Sequence, residues 1–165
     1  MTAKFILGIL IVVFTAFCGY ILSKKYRRKK LFFAQFYEFN ERFLTEITYA
    51  RRPLGDFFLS NSYKGEFGNL AEKFFQDIQK NENIYAVLQT DGEYAFLTKE
   101  EKAFVGDYFS MLGKGDSASQ KAYFSNRKDG LAKLKSQSET ACKKYGDLYI
   151  KLGFLCGLLI LVLIL

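Results

Sequence analysis

The sequence predicts an all-α protein: a helical bundle in the cytoplasm flanked by N- and C-terminal transmembrane helices, the last helix of the bundle running into the second span. Three observations predict it. Uncharged apolar runs lie near both ends of the 165 residues, large apolar residues between them recur at alternating spacings of three and four, and no strand-like alternation of useful length occurs. Setting the two runs aside leaves about 125 residues, enough for one small domain with its own core.

The first element is transmembrane helix 1, residues 5–23, without a charge from Phe5 to Ser23. Nineteen residues at ~1.5 Å each reach ~28 Å, close to the hydrocarbon thickness of a bilayer. A cleaved signal peptide fits poorly, because no small-x-small site follows and a basic block comes at once. The last element is transmembrane helix 2, residues 148–165. Its uninterrupted run, Leu152 to Leu165, is short for a span. Lys151 can snorkel, so that Leu148, Tyr149 and Ile150 also enter the bilayer. Gly153 and Gly157 form a small-xxx-small notch suited to close packing on span one or on a partner.

Charge gives the direction. Lys24, Lys25, Arg27, Arg28, Lys29 and Lys30 follow the first span, and Lys143, Lys144 and Lys151 approach or enter the second. Both basic flanks face the middle of the chain, which places residues 24–147 in the cytoplasm by the positive-inside rule. Tyr20, Tyr26, Tyr145 and Tyr149 fall at the expected membrane interfaces. From Glu38 to Cys142 there are 14 Lys and Arg against 16 Asp and Glu, so the net charge of +7 belongs to the membrane boundary. That distribution argues against nucleic acid and for the lipid bilayer as partner. Three cysteines, two of them in spans, are no disulfide framework and suit a reducing compartment.

Within the cytoplasmic part, Phe32, Phe36, Phe39, Phe43 and Ile47 line one face of a helix over 31–50, with Gln35, Glu38, Asn40 and Glu41 assigned to the solvated side. Pro53 suits the first position of a second helix ending near Ser60. Gly65 and Gly68 bracket a loop, and a third helix over 70–79 presents Leu70, Phe74, Phe75 and Ile78. Asn81-Glu82-Asn83 breaks it, and a short fourth segment covers 84–89. Thr98 and Glu101 form a capping box, opening a helix that carries Phe104, Tyr108, Phe109 and Leu112 until Gly113 stops it. Asp116 caps the final helix, whose seam is Phe124, Leu131, Leu134, Ser138, Ala141, Tyr145, Leu148 and Leu152. Asp129-Gly130 is its expected weak point.

The chemistry-bearing residues point away from catalysis. With no His, the commonest metal ligand and general base are missing, and no C-x-x-C pair occurs. Gly113-Lys114-Gly115 lacks the preceding strand and the Lys-Ser/Thr ending of a phosphate loop. No metal and no cofactor is expected. A membrane enzyme working on a lipid or cell-wall precursor through carboxylates alone is the competing reading; it requires convergent Asp or Glu in a pocket, which nothing in the sequence marks.

The run Leu112-Gly113-x-x-Asp116-x-x-x-Gln120, a long polar helix, and then Tyr149-x-x-Leu152-Gly153-Phe154-Leu155-x-Gly157-Leu158-Leu159 resembles the stage III sporulation protein AB family. So does Glu46-Ile47-x-Tyr49-x-x-x-Pro53-Leu54, together with the N-terminal span ending in basic residues. Arg51-Arg52 and Cys156 depart from the family pattern, and residues 60–95 do not align with it. The resemblance implies a subunit of the channel complex joining mother cell and forespore, in the mother-cell membrane around the forespore. It implies a helical domain similar to that of platform proteins in type II secretion and type IV pilus machines. The partners so implied are a cytosolic secretion-type ATPase and other membrane subunits of the same complex. The candidate partner or packing residues are Glu46, Tyr49, Pro53, Leu54, Asp116, Gln120, Gly153 and Gly157.

Overall fold

The computed structural model describes residues 2–50, 54–60, 62–77, 84–90 and 92–164. Pro53, Ile78, Gln79 and the Asn81-Glu82-Asn83 break lie outside them. All regular structure among the described residues is helical: α1 (Thr2–Thr45), a first π turn (Glu46–Ala50), α2 (Leu54–Ser60), α3 (Gly65–Asp77), α4 (Ile84–Thr90), a 3-10 turn (Gly92–Tyr94), α5 (Lys99–Ser110), α6 (Ser117–Ala141), a second π turn (Cys142–Gly146) and α7 (Asp147–Ile164). Two of these stretches are long and apolar enough to cross a membrane. Their most apolar stretches are only 17% and 11% buried, unlike a core helix that is mostly buried. The chain forms two compact units, residues 1–30 with 137–165, and residues 31–136.

The unit of residues 31–136 is built around α1. Phe32, Phe36, Phe39 and Phe43 are buried as their spacing predicts, and Phe33 is buried with them. Phe36 stacks on Phe67 of α3 at 5.2 Å and meets Tyr108 of α5 edge-on at 4.7 Å; Phe43 touches Phe57 of α2 at 5.3 Å and Phe124 of α6 at 5.0 Å. One helix face thus holds four others. Each ring removed from water contributes about 1.5–3 kcal/mol, with edge contacts adding to it.

Three sequence expectations are corrected in this unit. Asn40 is fully buried rather than solvated, because it stands four residues after Phe36 and shares its face. Its Oδ1 accepts a hydrogen bond from the Tyr108 hydroxyl at 2.8 Å. Gly65 and Gly68 do not bracket a loop but lie in the first turn of α3. Gly65 takes a φ of +65°, and at Gly68 a Cβ would sit 2.8 Å from the Tyr63 carbonyl carbon. Only a residue without a side chain lets the chain turn so tightly into that helix. The third correction is at Gly130, where α6 runs on unbroken. A Cβ there would lie 3.2 Å from the Phe104 ring, so the glycine serves close approach and leaves the helix intact.

The helix starts follow their caps. Thr98 Oγ1 accepts from the Glu101 amide at 3.3 Å while Glu101 Oε2 accepts from the Thr98 amide at 2.9 Å, the reciprocal box expected. Asp116 Oδ1 accepts from the Ser119 amide at 2.8 Å, opening α6.

In the other unit, α1 and α7 run antiparallel in a constant register. Gly8 faces Leu161, Val12 faces Gly157, Thr15 faces Gly153, Gly19 faces Tyr149 and Ile150, and Ser23 faces Gly146. A Cβ at Gly153 would stand 2.5 Å from the Thr15 carbonyl oxygen, and one at Gly157 2.8 Å from Val12 Cα. The notch therefore packs against the first span of the same chain. This corrects the predicted seam. Leu148 and Leu152 are 42% and 45% exposed, while Gly146 and Gly157 are buried. The second π turn holds one residue more than an α turn, advancing the packing face by one position, about 100°.

Candidate functional site: a groove beside the first π turn

Phe43, Ile47, Leu54 and Phe57 form an apolar wall at the end of α1, on the first π turn and on α2. Across from it lie Gly113, Gly115, Ser117 and Gln120, from the loop after α5 and the first turns of α6, and Glu46 stands at the edge. Together they enclose a hollow of about 270 Å³. Gly113 and Gly115 adopt φ values of +75° and +80°, a conformation that favours glycine. At Gly113 a Cβ would come within 3.3 Å of Leu54 Cδ2, so the loop lies close over α2.

A shallower hollow of about 430 Å³, lined by Glu41, Arg42, Thr45, Glu46 and Phe57, adjoins the first, with Glu46 and Phe57 common to both. Glu41 is held on its other side by Lys128 Nζ at 3.0 Å, and that hydrogen bond raises the Lys128 ammonium above its ordinary pKa. Glu38 pairs with Arg42 one turn on. The Asp116 carboxyl is held below its usual range by the hydrogen bonds from Ser119, so it stays ionised as the cap of α6. Tyr49, on the first π turn with Glu46 and Ile47, is 82% exposed.

The residues singled out in sequence separate into three places. Glu46, Leu54 and Gln120 meet at the groove; Tyr49 shares the turn that supplies Glu46, and Asp116 stands between two groove residues while its oxygen is engaged with α6. Pro53 lies outside the described residues. Gly153 and Gly157 are in the α1–α7 pair. Of the basic block, Lys24, Lys25, Arg27 and Lys30 are exposed, Arg28 and Lys29 are half-buried, and Arg27 approaches Asp147 at 4.0 Å. Phe43, Phe57, Gly115 and Ser117 line the groove without having been marked as site residues. The repeated glycines around Lys114 were the one signal for that loop.

Among the described residues, no three of His, Cys, Asp and Glu are grouped to hold a metal ion. A separate hollow between α4 and α5, about 700 Å³ and lined by Tyr85, Leu88, Leu97, Lys99 and Lys102, contains none of the predicted residues. Chemically, the groove offers an apolar wall, the half-buried Gln120 amide, the exposed Ser117 hydroxyl and the Glu46 carboxylate.

The family described as stage III sporulation protein AB matches residues 4–165 of the chain. No curated protein and no solved structure matches.

Proposed function

The chain belongs to the stage III sporulation protein AB family, and from that premise we propose that it is a non-enzymatic membrane platform subunit of the sporulation (mother cell–forespore) channel complex. Residues 31–136 face the cytoplasm and dock a cytosolic secretion-type ATPase; the α1–α7 pair spans the mother-cell membrane around the forespore and meets the other membrane subunits. The observation that supports this reading best is the groove itself. Glu46, Leu54 and Gln120 come from three separate stretches of the chain and meet there, and the turn that supplies Glu46 also carries the exposed Tyr49. An exposed aromatic on the turn that feeds such a groove suits an interface anchor.

In mechanism, the docked motor pushes on the helices that form the groove. Two of them, α1 and α6, continue toward the membrane segments, so movement passes along helices without needing a separate linker.

The test is capture of the ATPase from sporulating cells by the full-length protein in detergent. Tyr49→Ala and Gln120→Arg should each weaken capture by about tenfold, the loss of one anchor. Lys102→Glu, in the α4–α5 hollow, should leave it unchanged. Undiminished capture by both groove variants would move the docking face elsewhere, and failure of the unaltered protein to capture an ATPase would end the platform reading.

A further inference from the structure

The register of the α1–α7 pair brings two basic segments, separated by more than a hundred residues of chain, to one level. Ser23 faces Gly146, and the Tyr26 ring lies 5.5 Å from Tyr145 and 5.8 Å from Tyr149. Lys24, Lys25 and Arg27 therefore stand level with Lys143 and Lys144, all five exposed. In residues 1–30 and 137–165 there are ten Lys and Arg against two acidic residues, Glu139 and Asp147. Asp147 is engaged with Arg27 at 4.0 Å.

Lys151 breaks the pattern of the belt. It lies between Ile150, which faces Gly19, and Gly153, which faces Thr15. That places it level with Cys18, six residues inside the first cation of the block, or ~9 Å at ~1.5 Å per residue. It is exposed, on the outside of the helix pair, among Leu148, Leu152 and Leu155, which are exposed too. An ammonium at that depth on a lipid-facing surface is costly unless its stem reaches up to an anion at the interface.

We propose that the belt of Lys24, Lys25, Arg27, Lys143 and Lys144, completed from below by Lys151, is a binding site for the headgroup of an anionic phospholipid. The lipid phosphate sits among the cations of both helices. Its acyl chains lie along the apolar surface beside Lys151, and the tyrosine layer of Tyr26, Tyr145 and Tyr149 holds the two helices at the spacing the site needs. The depth of Lys151 favours a lipid over a soluble anion, since a free phosphate in water has no contact with the apolar flank. The site is independent of the docking groove, and its test does not involve the ATPase.

Thermal unfolding of the full-length protein in detergent reads the binding directly. Phosphatidylglycerol at about a hundredfold its dissociation constant should raise the midpoint by roughly 5–10 °C, whereas phosphatidylcholine and inorganic phosphate should not. Raising salt from about 0.05 to 0.5 M should erase most of the shift, because the contact is between charges at a wetted surface. Substituting the cations of the second segment only, Lys143→Gln, Lys144→Gln and Lys151→Gln together, should remove most of the shift while the midpoint in phosphatidylcholine stays where it was. Should that variant fail to fold, Lys151→Gln alone replaces it, with at least a halved shift expected. Equal shifts with phosphatidylcholine, an equal shift with inorganic phosphate, or an undiminished shift in the foldable variant would each overturn the proposal. So would loss of a membrane subunit from Lys151→Gln protein whose phosphatidylglycerol shift is intact, which would assign Lys151 to an acidic group on a neighbouring helix.

Discussion

Removing the Tyr108 hydroxyl would leave the Asn40 amide oxygen buried without its donor. Tyr108→Phe should therefore lose about 1–3 kcal/mol of stability, the cost of an unsatisfied buried acceptor. Replacing both partners, Asn40→Leu with Tyr108→Phe, should cost less than the two single changes added together. Unfolding of the four proteins in denaturant measures the difference, and strict additivity would mean the hydrogen bond contributes nothing. The tyrosines also set a limit in alkali. Burial pushes the Tyr63 phenol up to about 12, and burial carries Tyr108 well above its ordinary value. The folded protein thus keeps protons that an unfolded chain releases above pH ~10. Stability falls as pH climbs from about 10 and goes on falling toward the folded value of Tyr63. With 11 Tyr and no Trp, phenolate absorbance reports the titration cleanly. Tyr63→Phe should reduce the late-titrating fraction and shrink the alkaline loss; an unchanged curve would place Tyr63 in water.

At the level of elements, the second π turn decides which face of α7 meets α1. Inserting one alanine after Lys143, with the π turn kept, would turn α7 by about 100° relative to the end of α6. Gly153 and Gly157 would leave the α1 surface, and Leu152 and Cys156 would replace them with bulk that backbones so close cannot accept. Spin labels at Leu10 and Leu159, both exposed and nearly level in the register, provide the measurement. A narrow distance distribution in the parent should broaden and lengthen in the insertion. An unchanged distribution would show that α7 finds its face whatever the number of residues before it. The extra residue was invisible beforehand because Ala141, Tyr145, Leu148 and Leu152 continue an acceptable heptad, and apolar residues occupy every face of a span. Periodicity has no contrast to work with there. The glycines carried the missing information, since small residues mark close contact where hydrophobicity does not.

For the whole molecule, the platform reading depends on α6 passing movement from the groove to α7. Ser138 is buried late in α6, three residues before its end. A proline there removes a hydrogen bond and clashes with the preceding turn, at a cost of ~3 kcal/mol or more. The Ser138→Pro protein should insert, bind its cytosolic partner through the untouched groove, and fail to support sporulation. Ser138→Ala should behave as the parent, because alanine fits both the helix and the buried position. Spore counts, with membrane level and ATPase capture measured in parallel, separate these outcomes. Normal spore counts with proline at 138, in protein present at the parent level, would rule out transmission along α6.

The helical class, the two long apolar helices and the caps at Thr98 and Asp116 were legible in the amino acids alone. Each depends on interactions between residues a few positions apart: the 3.6 period of Phe32 to Phe43, the length of an uncharged run, a side chain reaching an amide three residues on. The family likeness supplied Glu46, Leu54 and Gln120 as names without saying that they meet. What the tertiary structure alone decided is long-range. It placed residues 43–47 and 54–57 against 113–120 to make the groove, turned Asn40 inward onto Tyr108, drew Gly130 against Phe104, and set α7 on α1 one residue out of the expected register. In each case the outcome is fixed by which backbones can approach most closely and which polar groups find partners on burial. Those quantities depend on surfaces separated by many residues of chain, so no local pattern records them.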